Sequence, residues 1–307
     1  MADIYIATGD FDKAEEILKR AEEEIGTVSE EVEKKQDEVK EEKKREEQLE
    51  LPSLTEIPSP TPTNTPIPSP TELPTPTNTT SPAPVAHAIY DGTTVELSKA
   101  KVGDVVLFGS YEQDNIASNG AEAIPWYVLD KDGDNLLLLS VYLLDHVKYH
   151  EEYVDITWED CTLRQWMNDD FYNSAFTASE KKYIRTSYLE NADNPWYGVE
   201  GGNDTEDKVF ALSLAEAGQY LGIAEDEGWY WVCVTPELST AQATAYAEAQ
   251  GAWVTSDSNG WWWLRSPGLV NNIAADVNSD GDIIVLGDYA DNDGSAARPA
   301  LWLNLNP

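Results

Sequence analysis

Two stretches near the C-terminus decide the fold: Trp261-Trp262-Trp263-Leu264-Arg265-Ser266-Pro267-Gly268 and Ala297-Arg298-Pro299-Ala300-Leu301-Trp302. Aromatic side chains bury large areas and proline fixes φ, so both stretches are typical of a packed core. The segment between them is rich in Gly, Asn and Asp, residues that favour turns. We therefore expect two rigid stretches that hold a permissive segment at the surface.

Further motifs accompany these stretches. They are Val102-Gly103-Asp104, Phe108-Gly109-Ser110-Tyr111, Trp158-Glu159-Asp160, Asp204-Thr205, Asp207-Lys208-Val209-Phe210, Ala274-Ala275 and Asp280-Gly281. Taken together, the motifs resemble a family of bacterial domains with a C-type-lectin-like fold, some of whose members are variable proteins of diversity-generating retroelements. The resemblance covers residues 100–303. It implies an α+β domain that recognises a ligand without chemistry.

Charge restricts the classes of partner. The chain has 20 basic and 57 acidic residues, a net charge of -37, and residues 87–307 alone carry 11 basic and 37 acidic residues. This charge repels polyanions, so we expect no nucleic-acid partner. The longest apolar run, residues 136–144, is half the length of a membrane span, and we expect a core strand there and no membrane insertion within the chain.

The chain divides into three regions. Residues 1–50 show apolar positions at helical spacing and predict an acidic α-helical segment, similar to part of a tetratricopeptide motif or a helical hairpin. Residues 51–86 consist almost wholly of Pro, Thr, Ser and Asn and predict a disordered, extended linker. Residues 87–307 form the predicted C-type-lectin-like ligand-binding domain.

Within this third region the pattern predicts strands, then helices, then strands again. Strands are expected over 101–108, 125–130 and 135–141, with a hairpin turn at 132–134. Helices are expected over 159–172, 179–183, 207–220 and 240–250, the last one ended by Gly251. This order predicts that the first and last elements of the domain meet.

The resemblance places the binding surface between the two rigid stretches, at positions between its frame residues. The expected ligand contacts are Leu269, Val270, Asn271, Asn272, Ile273, Asp276, Asn278, Ser279, Asp282, Ile284, Val285, Leu286, Asp288, Tyr289, Asp291, Asn292 and Asp293. The expected scaffold residues are Trp262, Trp263, Arg265, Pro267, Arg298, Pro299 and Trp302. Tyr suits a contact surface as a rigid anchor, and Asn as an adaptable hydrogen-bonding group.

Residue usage in this segment agrees with retroelement diversification. Adenine-directed replacement does not usually yield Lys, Glu, Gln, Met or Trp, and residues 269–297 contain none of the five. About five would be expected at the frequency of residues 87–307. Turn and strand segments are also poor in Lys and Glu, which is the alternative explanation.

Three other patterns have structural explanations beside functional ones. The sequence from Asp276 to Ile283 resembles the start of a calcium-binding loop, but the twelfth position of that loop would be Gly287, which offers no carboxylate ligand. A hairpin turn is therefore expected here. We expect no metal or cofactor, with calcium as the alternative. Tryptophans 261–263 alternate faces in a strand, so most are expected in the core, not stacked on a sugar. Arg164, Arg265 and Arg298 are expected to form scaffold ion pairs with acids such as Asp204 or Asp207.

Cysteine usage bears on the enzyme alternative. Cys161 and Cys233 are far apart in sequence, and two buried free thiols are favoured over one disulfide. The C-type-lectin-like fold also hosts formylglycine-generating oxidoreductases, but neither cysteine lies in a recognisable catalytic motif, and with three histidines no catalytic triad is indicated.

The expected function is non-enzymatic recognition of an unidentified protein or glycan by a hypervariable surface. A structural or adhesive tip on a stalk is the alternative. The Pro/Thr-rich spacer favours presentation at the cell surface or outside the cell, with the cytoplasm as the alternative, because residues 1–20 lack the pattern of a secretory signal.

Overall fold

The computed structural model describes residues 90–226 and 229–307. The predicted helical segment 1–50 and the predicted linker 51–86 lie outside these residues. The described part mixes strands with short helices, which confirms the predicted α+β class.

The described residues contain thirteen strands and five α-helices. The strands are β1 (Val105–Tyr111), β2 (Glu122–Asp132), β3 (Asn135–Ser140), β4 (Asp145–His146), β5 (Ser187–Leu189), β6 (Thr205–Asp207), β7 (Ile223–Asp226), β8 (Tyr230–Cys233), β9 (Trp262–Pro267), β10 (Ile273–Val277), β11 (Ile283–Tyr289), β12 (Ala296–Ala297) and β13 (Ala300–Asn304). The helices are α1 (Thr162–Trp166), α2 (Tyr172–Ala175), α3 (Leu214–Leu221), α4 (Pro236–Ser239) and α5 (Ala245–Gln250). Single 3-10 turns occur at Leu97–Lys99, Trp158–Asp160 and Glu180–Lys182, and a π-helical turn at Met167–Phe171.

The first sheet joins the two ends of the domain. Its order is β1-β2-β3-β13, with every neighbouring pair antiparallel. Leucines 136–139 of β3 are buried, and Leu301 of β13 lies opposite Leu138. The expected core strand, the β2–β3 hairpin and the meeting of first and last elements are therefore confirmed.

The second sheet contains the tryptophan-rich stretch 261–268. Its order is β4-β12-β9-β10-β11-β8-β7, which places β9 in the interior, and all six residues of β9 are buried. β9 pairs antiparallel with β10 and parallel with β12. A third, two-stranded sheet joins β5 and β6.

The helices are shorter than the sequence predicts. The helix expected over 207–220 begins only at Leu214, because Phe210 exchanges backbone hydrogen bonds with Ala300 of β13 instead, at 2.9 and 2.7 Å. Ser213 and Glu216 then form a capping box that starts α3. Tertiary strand pairing here overrides helix propensity.

The other predicted helices are also shorter in the structure than the sequence predicts. The helix expected over 240–250 begins at Ala245, because the Thr244 side chain accepts the Ala247 N–H; it ends before Gly251, as predicted. The stretch 179–183 contains only a 3-10 turn, and 159–172 is divided into a 3-10 turn, α1 and the π-helical turn, with α2 beginning at Tyr172.

The tryptophans of β9 fix the strand from both faces. The Trp262 indole donates to the Ser239 carbonyl at 3.0 Å, and the Trp263 indole donates to the Val147 carbonyl at 3.1 Å. Both side chains are at most 1 % exposed. A buried indole N–H needs a hydrogen-bond acceptor. Each of these two hydrogen bonds therefore also fixes the position of the segment that carries the accepting carbonyl.

The remaining scaffold residues flank this strand. Pro267 and Pro299 are buried, and Trp302 is half-buried against the core. The Pro299 carbonyl accepts the Ser140 N–H of β3 at 2.9 Å, so the second rigid stretch is attached to the first sheet.

Two of the three expected arginine ion pairs form. Arg164 donates through Nε to Asp207 at 2.7 Å. Arg265, buried in β9, pairs with Glu216 of α3 and also donates to the carbonyls of Ala211 and Glu190. Each guanidinium fork therefore joins separate segments, as predicted, although Glu216 is an unforeseen partner.

The expected ion pair of Arg298 is wrong. Among the described residues no acid lies within ion-pair distance of this buried guanidinium. It donates to the carbonyls of Ser140 and Ser239 and lies 4.7 Å from the centre of the Trp262 ring. Burial lowers the pKa of Arg298 to about 10. Backbone carbonyls and an aromatic face contact the cation in place of a carboxylate, and the buried Nη2 has no hydrogen-bond partner among the described residues.

One glycine determines the path of β11. The β10–β11 register shifts between Ala274 and Asp276, and Gly287 on the facing strand has φ of 76°. A Cβ atom at Gly287 would collide with the Ala274 carbonyl. Only glycine fits this bulge, which redirects the residues that follow it.

No helix in the described part of the chain is both long and apolar enough to cross a bilayer.

We expect Arg265→Ala to lower the free energy of unfolding by roughly 3 kcal/mol, because it leaves the Glu216 carboxylate without its cation and the Ala211 and Glu190 carbonyls without this donor. Urea unfolding followed by tryptophan fluorescence measures the change. Arg185→Ala is the matched control, since it removes the same charge from an exposed position. If the two variants are equally stable, the buried ion pair does not hold the scaffold.

Candidate ligand-binding surface

The seventeen predicted contact positions follow one hairpin, β10–β11. Asn278, Ser279 and Asp282 lie in its turn, whereas residues 269–272 and 288–293 lie at its open end. The seven residues of β11 separate these two groups by roughly 20 Å. The structure therefore does not bring the predicted positions together as one patch.

Four of the predicted contact positions lie in the interior, which corrects their assignment as surface residues. They are Ile273, Asp276, Ile284 and Val285, at 4 %, 0 %, 7 % and 0 % exposure. β10 and β11 are central strands whose faces are both covered, so the alternation of surface and core expected for a half-exposed hairpin does not occur.

The other predicted positions are exposed or partly exposed. Val270 and Asn271 are exposed, and Leu269, Asn272, Leu286, Asp288, Tyr289, Asp291 and Asn292 are partly exposed. Asp293 is exposed. Asn278, Ser279 and Asp282 of the turn are partly exposed as well. Apart from these three and Leu286, the exposed or partly exposed positions belong to the open end of the hairpin, which we call the recognition surface (residues 269–272 and 288–293).

A segment that sequence reasoning missed borders the recognition surface. The Ile156 N–H donates to the Asn271 carbonyl at 2.9 Å, and the His150 N–H donates to the Ala290 carbonyl at 2.8 Å. The Tyr153 ring, 58 % exposed, meets the Tyr289 ring edge-on at 5.3 Å between centres. In the sequence, the signal for this segment is the pair Tyr153-Val154, which lies between the core strand and Trp158.

A cavity of about 490 Å³ opens beside the recognition surface. It is lined by Trp253, Trp261, Asp288, Asn292, Asp293, Gly294 and Ser295. Asn292 donates from its amide to Asp288 at 2.8 Å, and the Trp253 N–H donates to the Gly294 carbonyl at 3.0 Å. Trp261 thus lines a cavity, whereas Trp262 and Trp263 are core residues. We call this the smaller cavity.

A larger cavity of about 720 Å³ shares Asp293 with the smaller one. Its lining includes Asp145, His146, Lys148, Glu151, Trp166, Asp169, Asp170 and Tyr246. Lys148 Nζ and His146 Nε2 lie 3.6 and 3.5 Å from the Asp293 carboxylate. Asp145 accepts the Tyr111 hydroxyl at 2.5 Å. Apart from Asp293, none of these residues is predicted from the sequence to belong to a site, because they come from segments separated by up to about 150 positions.

Asp276 is the most unusual group near these cavities. It is completely buried, and neither carboxyl oxygen has a hydrogen-bond partner. Burial, with the Asp288 charge adding to it, raises the pKa of Asp276 well above its ordinary value. Burial also raises the pKa of Asp288, which lines the smaller cavity. An unpartnered buried carboxylate is costly, so this environment favours the neutral, protonated form of Asp276.

The calcium-like sequence forms a turn. The Asn278 carboxamide oxygen accepts the N–H groups of Asp280 and Asp282, each at 2.9 Å, as a hairpin turn requires. In the described residues, carboxylates close enough together to share an ion occur at Glu112, Asp114 and Glu122 instead. The oxygens of this cluster accept backbone N–H groups of their own loop.

Both cysteines are free and buried, as predicted. Burial raises the pKa of Cys161 to about 12 and that of Cys233 to about 11. Nucleophilic or redox chemistry requires the thiolate, which these environments disfavour.

The comparison with known proteins gives one match. Residues 133–305 match the model of a family described as a domain of unknown function, DUF6273. The chain belongs to the DUF6273 family. No curated protein and no solved structure matches it. Every residue that lines the two cavities of this DUF6273 protein falls inside the matched region, as do β9 to β13.

We expect Asp276→Asn to stabilise the DUF6273 domain increasingly as pH rises. The folded-state pKa of Asp276 lies above its unfolded value, so the wild-type carboxyl favours folding at low pH, and this contribution is lost as pH rises towards the folded pKa. Asparagine does not titrate. The stability difference between variant and wild type should therefore grow by up to about 1.4 kcal/mol per pH unit above about pH 4.

Urea unfolding at pH 4, 5, 6 and 7 measures this trend. Asp257→Asn, at an exposed position, is the control and should show no such slope. A stability difference for Asp276→Asn that is constant over the four pH values would contradict the assignment of a neutral buried acid.

Proposed function

We propose that this protein is a non-enzymatic ligand-recognition protein with a C-type-lectin-like domain. Its recognition surface is hypervariable through retroelement diversification, and the Pro/Thr-rich linker presents the domain at the cell surface. The ligand is a protein or a glycan. The observation that carries the proposal is that nine of the seventeen predicted positions lie together at the open end of the β10–β11 hairpin, beside two tryptophan-lined cavities.

Separation of scaffold from surface supports the proposal. The frame residues Trp262, Trp263 and Arg265 are buried and hydrogen-bonded to distant segments. Asn271 and Asp291, by contrast, make no side-chain hydrogen bond within the described structure that would oppose their replacement. A protein that changes its binding residues needs this division, since a substitution in the core costs far more stability than one at the surface.

The structural-tip alternative predicts the same fold without diversification. The formylglycine-generating-like alternative is less well supported, because its cysteine chemistry would need a thiolate that burial disfavours at both Cys161 and Cys233. Ligand recognition is therefore the proposed function, and a structural tip without diversification is the alternative.

Two matched libraries test tolerance. One randomises Val270, Asn271, Asn272 and Asp291, and the other randomises the buried Ile273, Ala274, Val277 and Val285. We expect most members of the first library to remain folded and only a small minority of the second, as judged by protease resistance on yeast. Equal losses in both would show that the recognition surface does not tolerate change.

Neighbouring DNA separates diversification from a fixed tip. The proposal expects a near-copy of the codons for residues 269–297 that differs at adenines, beside a reverse-transcriptase gene. Substitutions among sequenced isolates should then fall on the recognition surface and spare the codons of β9. Absence of both the copy and the reverse transcriptase would leave a recognition module without diversification.

A further inference from the structure

A third cavity lies at the start of α3. Its volume is about 530 Å³, within the range of about 300–1,000 Å³ that is usual for small-molecule sites. Its walls come from the segment after β5, the first turn of α3, Trp231 of β8 and the end of β9. None of the described residues of the recognition surface lines it. We call it the α3 cavity.

One wall of the α3 cavity contains a buried hydrogen-bond donor that lacks an acceptor. Trp231 lines the cavity and is 7 % exposed, and its indole Nε1 has no hydrogen-bond partner in the described structure. The buried indoles of Trp126, Trp262 and Trp263 each donate to a backbone carbonyl. A buried N–H without an acceptor is costly, and native proteins rarely contain one without a reason. A ligand oxygen in the cavity would supply the missing acceptor.

The guanidinium that lines the same cavity is committed to the scaffold. Arg265 donates to the side chains of Asn191 and Glu216. It also donates to the carbonyls of Ala211 and Glu190. The indole N–H is therefore the unsatisfied buried donor of the α3 cavity.

A second wall offers hydrogen-bond acceptors. Glu190 and Asp193 line the cavity, both are exposed, and neither belongs to an ion pair among the described residues. One Asp193 oxygen accepts the Gly201 N–H at 3.1 Å, which leaves the other oxygen for a ligand. Ionised carboxylates only accept hydrogen bonds. The cavity thus offers a donor on β8 and acceptors on the segment that follows β5.

Apolar side chains complete the lining. Leu189 and Leu214 are buried at the cavity, and Pro195 lines it as well. The Tyr188 ring, 70 % exposed, also borders the cavity. The apolar part of a ligand would leave water against these side chains, which favours binding.

The segment that carries the two acids is held in place before any ligand binds. Asn194 is buried, and its amide nitrogen donates to the carbonyls of Pro267 in β9 and Val285 in β11 at 2.9 and 3.0 Å. Its side-chain oxygen accepts the N–H groups of Trp196 and Tyr197 at 2.9 and 3.1 Å. A preformed wall of this kind reduces the entropy that binding costs.

Charge and hydrogen-bonding capacity together restrict the class of ligand. An ammonium group only donates, so it offers no acceptor to the indole N–H. An anion offers an acceptor, but it would meet Glu190, Asp193 and Glu216, of which only Glu216 has a cationic partner. An amide is uncharged and carries its acceptor and its donor on different atoms, so it can serve both walls at once.

We propose that the α3 cavity binds a small uncharged amide with an apolar substituent. The amide oxygen accepts the Trp231 indole N–H, and the amide N–H donates to Glu190 or Asp193. The substituent packs against Leu189 and Leu214. This site goes beyond the proposed function, because it shares no residue with the recognition surface, and either of the two can fail without the other.

Three derivatives of leucine test the preference for an uncharged ligand with one apolar body. N-acetyl-leucinamide is uncharged, leucinamide is a cation at about pH 6, and N-acetyl-leucine is an anion. In titration calorimetry with the full chain at this pH, we expect N-acetyl-leucinamide to bind about fivefold or more tightly than either charged derivative. Tightest binding of leucinamide would overturn the inference, since the cavity would then respond to acidic charge alone. Equal affinity for isopentyl alcohol, or no binding at millimolar N-acetyl-leucinamide, would overturn it as well.

The indole N–H resonances show whether Trp231 makes the contact. In ¹⁵N-labelled protein, the Trp231 resonance is the one that disappears in Trp231→Phe. We expect N-acetyl-leucinamide to shift this resonance, while indoles that already donate to a protein carbonyl, such as Trp262, stay in place. An unchanged Trp231 resonance at saturating probe would overturn the inference.

A variant that narrows the cavity provides a test independent of the indole. Ala192→Phe places a larger side chain at an exposed position of the cavity lining, and we expect it to weaken binding of N-acetyl-leucinamide about tenfold with an unchanged Tm. Ala117→Phe is the matched control, since Ala117 is exposed and lies outside the cavity lining, and it should leave the affinity unchanged. Equal affinity of the two variants would place the amide elsewhere and overturn the inference.

Discussion

The structure depends on the burial of β9 between two covered faces of a seven-stranded sheet. A strand of this kind must satisfy every polar group without water. It does so through indole N–H bonds to Ser239 and Val147 and through the Arg265 fork, which reaches α3 and two loop carbonyls. Each contact fixes a segment far away in sequence. The strand therefore organises the domain and does not merely fill it.

The same constraint explains why the recognition surface lies at one end of the β10–β11 hairpin. Because β10 and β11 are central strands, their side chains are enclosed along most of their length. The residues before β10, the turn residues 278–282 and the residues after Tyr289 lie outside these strands. Gly287 forms a bulge just before the last paired residues of β11, Asp288 and Tyr289. The exposed predicted positions thus lie mainly where the ladder ends.

The distribution of charge differs between the buried scaffold and the surface of the domain. Cations are scarce, and Arg164 and Arg265 lie inside the scaffold, where they pair with acids. Arg298 is also inside the scaffold and contacts two carbonyls and the Trp262 ring. Many acids of the surface consequently have no cationic partner, and several of them gather around the two cavities. The cavities are acidic partly because acids line them and partly because the arginines that could neutralise these acids lie inside the scaffold.

The sequence by itself determined the α+β class, the core strand at residues 136–139, the scaffold role of the β9 tryptophans and the buried state of both cysteines, since these depend on local composition and periodicity. It overestimated the helices at 207–220 and 240–250, because propensity does not register the pairing of Phe210 with Ala300. Tertiary structure alone decided that Ile273, Asp276, Ile284 and Val285 are interior, and that Trp166, Trp253 and Asp293 meet around two cavities. The reason is physical: a strand's neighbours on both sides and both faces decide its exposure, and those neighbours come from distant parts of the chain.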